Sequence, residues 1–248
     1  MVTVKSAHEI ELMRKANQIV RDTLELVGRE IKAGMTTAQV DKLVYDYITS
    51  CGAKPSFLGY EGYPASACVS INEEVVHGIP SPRRFIEEGD IVSVDVGSIY
   101  KGYNGDAART FMIGQVDEEK KKLVEVTRQS FFEGVKVLKD GCRLGDLGWA
   151  IQSYVESNGF SVVRALVGHG IGTDMHEDPS VPNYGTPGRG MRLKAGMTIA
   201  IEPMVNAGTF DVKVLSDDWT VVTRDGRPSA HYENTVVITQ DGCEILSL

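Results

Sequence analysis

Apolar residues recur at helical spacing in two segments of the chain that lie 107 residues apart. Across residues 32–52 they follow the i, i+3, i+4, i+7 rhythm of a helix with one buried face, and residues 139–159 repeat that rhythm without a gap. Each segment closes on a glycine, Gly52 or Gly159, a common stop for a helix. The pattern predicts two equivalent amphipathic helices, and similar spacing predicts longer helices over residues 9–31 and 117–138.

The same offset relates two predicted strands. Residues 89–95 align with residues 196–202, and in both segments alternating valine or isoleucine side chains share one face. A carboxylate lies on the opposite face of each copy, Asp95 in the first and Glu202 in the second. The repeat therefore predicts that these two carboxylates occupy equivalent places.

Each half of the chain thus combines helices followed by strands, an order that favours an α+β fold with antiparallel sheet. The join falls near residues 114–119, which gives halves of approximately 1–115 and 116–248. Because no low-complexity linker separates the halves, we expect a single domain over residues 1–248 with its cleft between them.

Composition narrows the class of protein. The 248 residues carry a formal net charge of −8, and 42% of them are hydrophobic, as in ordinary globular proteins. No apolar run is long enough to span a bilayer, and no Lys/Arg cluster suggests that the chain grips nucleic acid. Four dispersed cysteines without a CxxC pair are typical of thiols in a reducing compartment. We therefore expect a cytoplasmic protein without membrane or specific nucleic-acid partners.

Five side chains in the predicted cleft could hold metal ions. Asp95 and Asp106 flank a predicted hairpin, and a turn centred near residues 100–101 would place them opposite each other. Glu202 and Glu233 come from the second half, and His169 lies in a glycine-rich segment. Carboxylates that meet inside a protein repel each other unless a cation lies between them. An oxygen-rich set with one imidazole suits two divalent ions sharing bridging carboxylates, and such a pair activates a water for hydrolysis.

Taken singly, each of these residues has an ordinary structural explanation. Asp95 could cap a turn, Glu202 could end a strand before Pro203, His169 could be a satisfied core histidine, and Glu233 an edge-strand charge. Their arrangement in a repeat favours the shared metal site.

The chain resembles the methionine aminopeptidases of the short bacterial type I. The resemblance is collinear over essentially the whole sequence and rests on a series of short motifs, namely residues 72–80 (NEEVVHGIP), 95–97 (DVG), 105–106 (GD), 168–172 (GHGIG), 176–179 (HEDP), 202–204 (EPM) and 232–235 (YENT). It implies the pita-bread fold, with helices outside a curved antiparallel sheet in two pseudo-symmetric halves, and a single catalytic domain.

The resemblance also implies roles for individual residues. The dinuclear metal ligands would be Asp95, Asp106, His169, Glu202 and Glu233, with Asp106 and Glu233 bridging both ions. His77 would contact the scissile amide, His176 would stabilise the developing oxyanion, and Glu202 would also perform acid–base work. As single residues, His77 could instead be a loop histidine capping a turn before Pro80, and His176 a helix-start or turn residue. The metal pair would be Co, Mn, Fe or Zn, and the matching residues Asn72 and Ser229 imply a monovalent cation, Na or K, nearby.

A pocket for the methionine side chain is implied as well. Its wall would combine aromatic and soft residues that suit a thioether, and which would otherwise be ordinary core, namely Phe57, Tyr60, Tyr63, Cys68, His77, His176, Met175 and Trp219. Three positions depart from the pattern of the family. Phe57 stands where cysteine is common, Met175 where phenylalanine is common, and His231 where glutamine is common. The first two bear on pocket shape, and His231 bears on contacts beside Glu233.

The implied activity is metal-dependent removal of the initiator methionine from nascent proteins whose second residue is small, by attack of a metal-bound hydroxide on the scissile carbonyl. Nascent N-termini would be the partners, with transient contact to the ribosome, and we expect a monomer. Three alternatives remain at this point. The first is an Xaa-Pro dipeptidase, which generally carries an added N-terminal domain. The second is a type II methionine aminopeptidase, whose helical insertion would not fit in the 26 residues from His176 to Glu202. The third is a non-catalytic relative, which would have lost metal ligands.

Overall fold

The computed structural model describes residues 2–248, and its helices confirm the predicted ones to within about five residues at each end. Within the described residues, four α-helices lie in two pairs along the chain: α1 Ala7–Glu30, α2 Thr37–Ser50, α3 Glu118–Val135 and α4 Leu144–Ser157. A 3₁₀ turn, Tyr60–Gly62, lies within the first half. No helix among residues 2–248 combines the length and apolar character that crossing a membrane requires.

The helix starts follow from local sequence. Ser6 begins α1 with a capping box in which its hydroxyl accepts from the backbone of Glu9 and the Glu9 carboxylate accepts from the backbone of Ser6. Thr36 and Gln39 form the same box at α2. The side chain of Asp117 accepts from the backbone of Lys120 at α3. These caps satisfy backbone donors that the first helical turn leaves free.

The strands are mostly short, apart from one long hairpin. They are β1 Lys54–Pro55, β2 Ala67–Ile71, β3 Glu74–Val76, β4 Ile91–Tyr100, β5 Tyr103–Met112, β6 Ser161–Val162, β7 Gly168–Gly170, β8 Glu177–Val181, β9 Thr198–Ile201, β10 Met204–Asn206, β11 Val212–Val214, β12 Val221–Thr223, β13 Ser229–His231, β14 Asn234–Ile238 and β15 Cys243–Ile245.

Every strand pair among the described residues is antiparallel, which confirms the predicted α+β class. In the first half, β4 pairs with β5 and also with β1 and β2. In the second half, β9 lies between β14 and β7 in a five-stranded sheet of order β15-β14-β9-β7-β8. The smaller sheets β13-β10-β6 and β11-β12-β3 complete the fold. In sequence, β4 and β9 are the two repeated strands, and each is an inner strand of its sheet.

The two halves meet where β5 approaches β14. Ala108 and Glu233 exchange both backbone hydrogen bonds, at 3.3 and 3.0 Å. The hydroxyl of Thr235 donates to the carbonyl of Asp106 at 2.9 Å and accepts from its backbone N–H at 3.2 Å. The sheets of the two halves are thereby joined edge to edge, and the residues at the join are those on which the predicted metal site depends.

Each helix pair covers its own sheet. In the first half, Val20, Leu24 and Val44 pack against Val92 and other residues of β4. The second half builds an equivalent core from α3, α4 and the five-stranded sheet, with Phe131 as its largest fully buried side chain. Both cores lie on the helical side of the sheets, so the opposite face of the joined sheet is free to carry polar side chains.

Candidate metal centre and adjoining pocket

The join between the halves brings the five predicted ligand residues to one cavity. Asp95 lies in β4 and Asp106 in β5, His169 is the central residue of β7, Glu202 directly follows β9, and Glu233 lies between β13 and β14. The sheet alternation that buries valines and isoleucines towards the helices aims these polar side chains at the opposite face.

The predicted direct pairing of Asp95 with Asp106 was wrong by one position in the turn. In the structure Asp95 pairs with Ala108, and Asp106 pairs with Gly97. The hairpin turns at Lys101 and Gly102, both with positive φ (49° and 86°), as a two-residue turn between antiparallel strands favours. The carboxylates are therefore diagonal neighbours on the same face, close enough for a side-chain hydrogen bond to lower the pKa of Asp95 against the effect of its burial.

Three carboxylates of the cavity each have one oxygen without the partner that a buried polar atom normally has. Oδ1 of Asp95, Oδ1 of Asp106 and Oε1 of Glu233 are buried without a hydrogen-bond partner among residues 2–248. Asp106 and Glu233 are only 3% and 2% exposed. An ionised carboxylate is costly to bury in this way unless a cation compensates it.

Mutual repulsion adds to the cost of burial. Burial raises the pKa of Asp95 to about 7. Burial, and then the charges of Asp95 and Glu202, raise the pKa of Asp106 well above its usual range. Burial, and then the neighbouring carboxylates, raise the pKa of Glu233 and of Glu202 in the same direction. The protein alone opposes ionisation of all four groups together, because the one cationic side chain acting on Glu233, Arg109, lowers its pKa by less than burial and the neighbouring carboxylates raise it.

The donor atoms are spaced for metal ions. Ligand atoms of Asp106, His169 and Glu233 all lie within 4.8 Å of one another, and a second group formed by Asp95, His231 and Glu233 meets the same limit. Glu233 belongs to both groups, as a bridging carboxylate must. Glu202 adjoins them, with Oε1 3.7 Å from Nε2 of His169. The pKa of His169 is lowered to about 4, mainly by burial and then by His176, so the ring is the neutral form that metals bind. The residues present therefore fit two divalent ions.

The glycines around His169 allow three strands to approach closely. A Cβ on Gly168 would lie 2.3 Å from the carbonyl oxygen of Ala200, and one on Gly170 would lie 2.1 Å from that of Asp178. Any side chain at either position would push β7 away from β9 or β8. These glycines thus hold the imidazole of His169 at its depth in the sheet.

Two further histidines line the cavity beyond the carboxylates. His77 follows β3 with a left-handed backbone (φ 59°), and its ring lies edge-on to Trp219 with centroids 6.4 Å apart. Burial, and then His176, lower the pKa of His77 to about 4. His176 precedes β8 at the exposed mouth of the cavity, and its ring centroid lies 4.3 Å from that of His169. Desolvation lowers the pKa of His176 as well, so both rings are neutral at pH 7.

Tyr60 makes a contact that the sequence did not indicate. Its hydroxyl lies 2.8 Å from Nδ1 of His176. Burial, and then the charges of Glu61 and Asp174, raise the pKa of the phenol, which therefore remains a donor at neutral pH. Tyr60 was predicted only as a wall of the side-chain pocket, and the structure gives it a polar partner too.

An apolar pocket opens directly beside the carboxylates. Phe57, Tyr63, Cys68 and Met175 are buried together, with Tyr60 and Trp219 packed on them. The Tyr63 hydroxyl donates to the carbonyls of Ala67 and Gly78, which fixes its ring edge-on to Trp219 at 5.0 Å between centroids. The cavity measures about 150 Å³, and all thirteen predicted site residues line it.

Two residues of the site were not among the predicted ligands or pocket residues, although His231 was expected to bear on contacts beside Glu233. Glu61 lines the cavity at its exposed side. His231 is 2% exposed and belongs to one of the two donor groups. Its position two residues before Glu233, on an extended segment, was the available signal, since residues at i and i+2 share a face.

Comparisons with known proteins agree with this geometry. Residues 11–240 match the model of metallopeptidase family M24. Methionine aminopeptidase of Clostridium acetobutylicum is 58% identical over 248 residues, covering 100% of this chain and 99% of the relative. Methionine aminopeptidase 1 of Bacillus subtilis is 49% identical with the same coverage. The crystal structure of methionine aminopeptidase from Thermotoga maritima superposes with a TM-score of 0.98 at 50% identity, covering 100% of this chain and 99% of that one, which confirms the predicted pita-bread fold.

Proposed function

The chain belongs to metallopeptidase family M24, and from that membership and the geometry of its cavity we propose that it is a methionine aminopeptidase, which removes the initiator methionine from proteins whose second residue is small. One observation carries the proposal. A single cavity joins a cluster of unpartnered carboxylates and a neutral imidazole to a buried aromatic and thioether wall. The first part suits hydrolysis of a peptide bond, and the second suits a methionine side chain.

We infer that two divalent ions are held by Asp95, Asp106, His169, Glu202 and Glu233. The shared membership of Glu233 in both donor groups supports its bridging role, and the orphaned oxygens of Asp95 and Asp106 support their roles as ligands. When bound, such ions polarise a carbonyl and make a water nucleophilic at neutral pH. Oxygen donors with imidazole accept Mn, Fe, Co or Zn, and availability decides among them.

The protein's own groups would then orient the substrate and move its protons. Glu202, whose pKa is raised by burial and by Glu233 and Asp95, would take a proton from the attacking water and return it to the leaving amine. His77 would hold the scissile amide. His176, with its Nδ1 engaged by Tyr60, would present an N–H to the developing oxyanion. Because both rings are neutral, they add no positive charge that would repel the metal ions.

Selectivity for methionine would come from the rigid wall. Tyr63 is fixed by two hydrogen bonds and by Trp219, while Met175 and Phe57 supply deformable and flat surfaces. The unbranched thioether of methionine can adapt its shape to this wall, whereas a branched side chain of similar size would clash with it.

Several finer features belong to the same proposal. Residues 1–248 would act as one catalytic domain, since both halves line the cavity. A monovalent cation, Na or K, would bind near Asn72 and Ser229, which adjoin through a 2.8 Å hydrogen bond from the Ser229 N–H to the Asn72 carbonyl. The enzyme would work in the cytoplasm as a monomer on nascent N-termini, in transient contact with the ribosome.

The test is hydrolysis of Met-Ala-Ser beside Leu-Ala-Ser by chelator-stripped protein, with Mn(II), Fe(II) or Co(II) added back. We expect metal-dependent release of methionine and no release of leucine. Glu202→Gln should lower kcat by at least about 100-fold, the usual contribution of a positioned acid–base group. Glu244→Gln makes the same change at an exposed carboxylate paired with Arg14, and serves as the matched control.

Each result bears on a separate part of the proposal. Cleavage of both peptides would retain the hydrolase and discard the selectivity of the pocket. Silence of the folded wild-type protein with every metal would discard the catalytic function altogether. Full activity of Glu202→Gln would remove Glu202 from proton transfer.

A further inference from the structure

His231 lies inside the carboxylate cluster and belongs to one of the two donor groups, but it is not among the five inferred metal ligands. It ends β13, two residues before Glu233. Its side chain is 2% exposed, and its Nε2 is buried without a hydrogen-bond partner among residues 2–248. A buried ring nitrogen with no partner is unusual in a folded protein, because it forfeits the hydrogen bond that water would have supplied.

Hydrogen bonds on both sides hold the backbone of His231 in place, so the residue cannot rotate its side chain out of the cluster by a backbone movement. The hydroxyl of Thr110 donates to the carbonyl of His231 at 2.8 Å and accepts from its N–H at 3.0 Å. Met204 of β10 pairs with it across the sheet. Such double anchoring fixes the direction in which the side chain leaves the strand.

The unpartnered Nε2 faces carboxylate oxygens at distances beyond hydrogen bonding. It lies 3.6 Å from Oε2 of Glu233 and 4.0 Å from Oε2 of Glu202. Two donor atoms on one ion lie no further apart than twice a metal–ligand bond of about 2.0–2.2 Å. Both separations satisfy that limit.

A third donor completes the group. Atoms of Asp95, His231 and Glu233 all lie within 4.8 Å of one another, just as atoms of Asp106, His169 and Glu233 do. The two groups share Glu233, and each contains one imidazole. The second group would be purely carboxylate without His231.

We propose that His231 is a further metal ligand, which supplies a nitrogen donor to the ion held by Asp95 and Glu233, so that each of the two ions has one imidazole. This inference rests on the proposed dinuclear function and assigns a residue that the five-ligand set does not contain. Imidazole favours Fe, Co and Zn over the harder ions that carboxylates alone suit. His231 therefore raises the affinity of this ion site and shifts its preference towards those metals.

The test counts imidazoles rather than turnover. Chelator-stripped protein is loaded anaerobically with two equivalents of Co(II), and X-ray absorption fine structure gives the number of imidazoles bound per pair of ions. We expect two in the wild type and one in His231→Gln. In Co(II) titrations followed by visible absorption, one of the two ions should bind about 10- to 100-fold more weakly to the variant.

His77→Gln is the matched control. It makes the same change in a histidine that lines the cavity but belongs to neither donor group, and it should retain two imidazoles and both affinities. One imidazole per pair of ions in the wild type would overturn the proposal, whether or not His231→Gln folds. Unchanged spectra and affinities in His231→Gln would overturn it too. Failure of the wild type to bind Co(II) at all would instead discard the dinuclear function on which the proposal rests.

Discussion

The hydroxyl of Tyr60 and Nδ1 of His176 lie 2.8 Å apart, across 116 residues of sequence. With the phenol as donor, the ring carries its proton on Nε2 and can offer it to an oxyanion. The contact also stabilises the neutral ring, because donation to a nitrogen lone pair opposes its protonation. Tyr60 therefore positions and tunes His176 in addition to forming part of the pocket.

Tyr60→Phe should lower kcat by about 2- to 10-fold with little change in KM, which corresponds to the loss of one hydrogen bond of about 0.5–1.5 kcal/mol. The acid limb of the kcat/KM profile should move to higher pH, because the neutral ring of His176 loses the hydrogen bond that opposes its protonation. The measurement is hydrolysis of Met-Ala-Ser between pH 5 and pH 9.

Tyr60→Leu provides the comparison, since it removes ring and hydroxyl together and should raise KM as well. If Tyr60→Phe left kcat and the acid limb unchanged, Tyr60 would act only as part of the pocket wall and not through His176.

Asp106→Asn should have opposite effects on the metal-free and metal-loaded proteins. Without metal, burial and the charges of Asp95 and Glu202 raise the pKa of Asp106, which costs folding free energy at pH 7; the substitution removes that cost, so the unfolding temperature should rise by a few degrees. With metal, the wild type gains stability through binding to the folded state, and the variant should lose most of that gain. Turnover should be abolished.

Thermal unfolding with and without Mn(II) or Co(II) distinguishes these effects. Asp46→Asn changes an exposed carboxylate of α2 and should leave both temperatures as in the wild type. If metal raised the unfolding temperature of Asp106→Asn as much as that of the wild type, Asp106 would not be a metal ligand.

The sequence correctly predicted that the carboxylates of Asp95, Asp106 and Glu202 share one cavity, but not which residues face each other across the hairpin. The 107-residue repeat put Asp95 and Glu202 on equivalent strands, and the structure brings both to one cavity. Which residue faces Asp95 depends on which two residues form the turn. A shift of the turn by one position, from Tyr100–Lys101 to Lys101–Gly102, changed the partner of Asp95 by two positions, from Asp106 to Ala108.

Other features had no local signal. The contact between Tyr60 and His176 joins two loops that no periodicity relates. The edge-to-edge join at Ala108 and Glu233 depends on how the two sheets meet, which hydrophobic patterning within each half does not specify. His231 did have a signal in its spacing from Glu233, but its unpartnered nitrogen is visible only in three dimensions.

Lys5 and Glu177 form a second pH-sensitive pair, outside the metal centre. Their side chains are 5% and 10% exposed, with Nζ and Oε2 2.5 Å apart. Burial alone would raise the pKa of Glu177, but hydrogen bonds from Lys5 and Thr3 outweigh it and lower that pKa below its usual 4.5. A lowered carboxyl pKa adds stability above the unfolded value, and this stability is lost as pH falls through the folded one.

Glu177→Gln should therefore lower the free energy of unfolding by about 1–3 kcal/mol at pH 7, because it leaves the buried Lys5 ammonium without its carboxylate. The difference from wild type should shrink as pH falls below about 4.5. Denaturant unfolding at pH 7 and near pH 3.5 measures it.

The double variant Lys5→Met/Glu177→Gln isolates the interaction between the two groups. It should be more stable than Glu177→Gln alone, since no unpaired charge remains. A pH-independent difference between wild type and Glu177→Gln would show that the pair does not titrate as described.

Phe57 sets the width of the methionine pocket. Its ring is buried against Gly97 of β4, where a Cβ would lie 2.8 Å from it, so the strand leaves no space on that side. Phe57→Ala should open the pocket, lowering kcat/KM for Met-Ala-Ser by about 10-fold while raising the Leu-Ala-Ser to Met-Ala-Ser ratio. Phe57→Leu keeps most of the volume and should retain selectivity for methionine. Because Phe57 lies apart from both donor groups, metal affinity should be unchanged in either variant. An unaltered ratio in Phe57→Ala would transfer the control of width to Met175 and Trp219, which form other parts of the same wall.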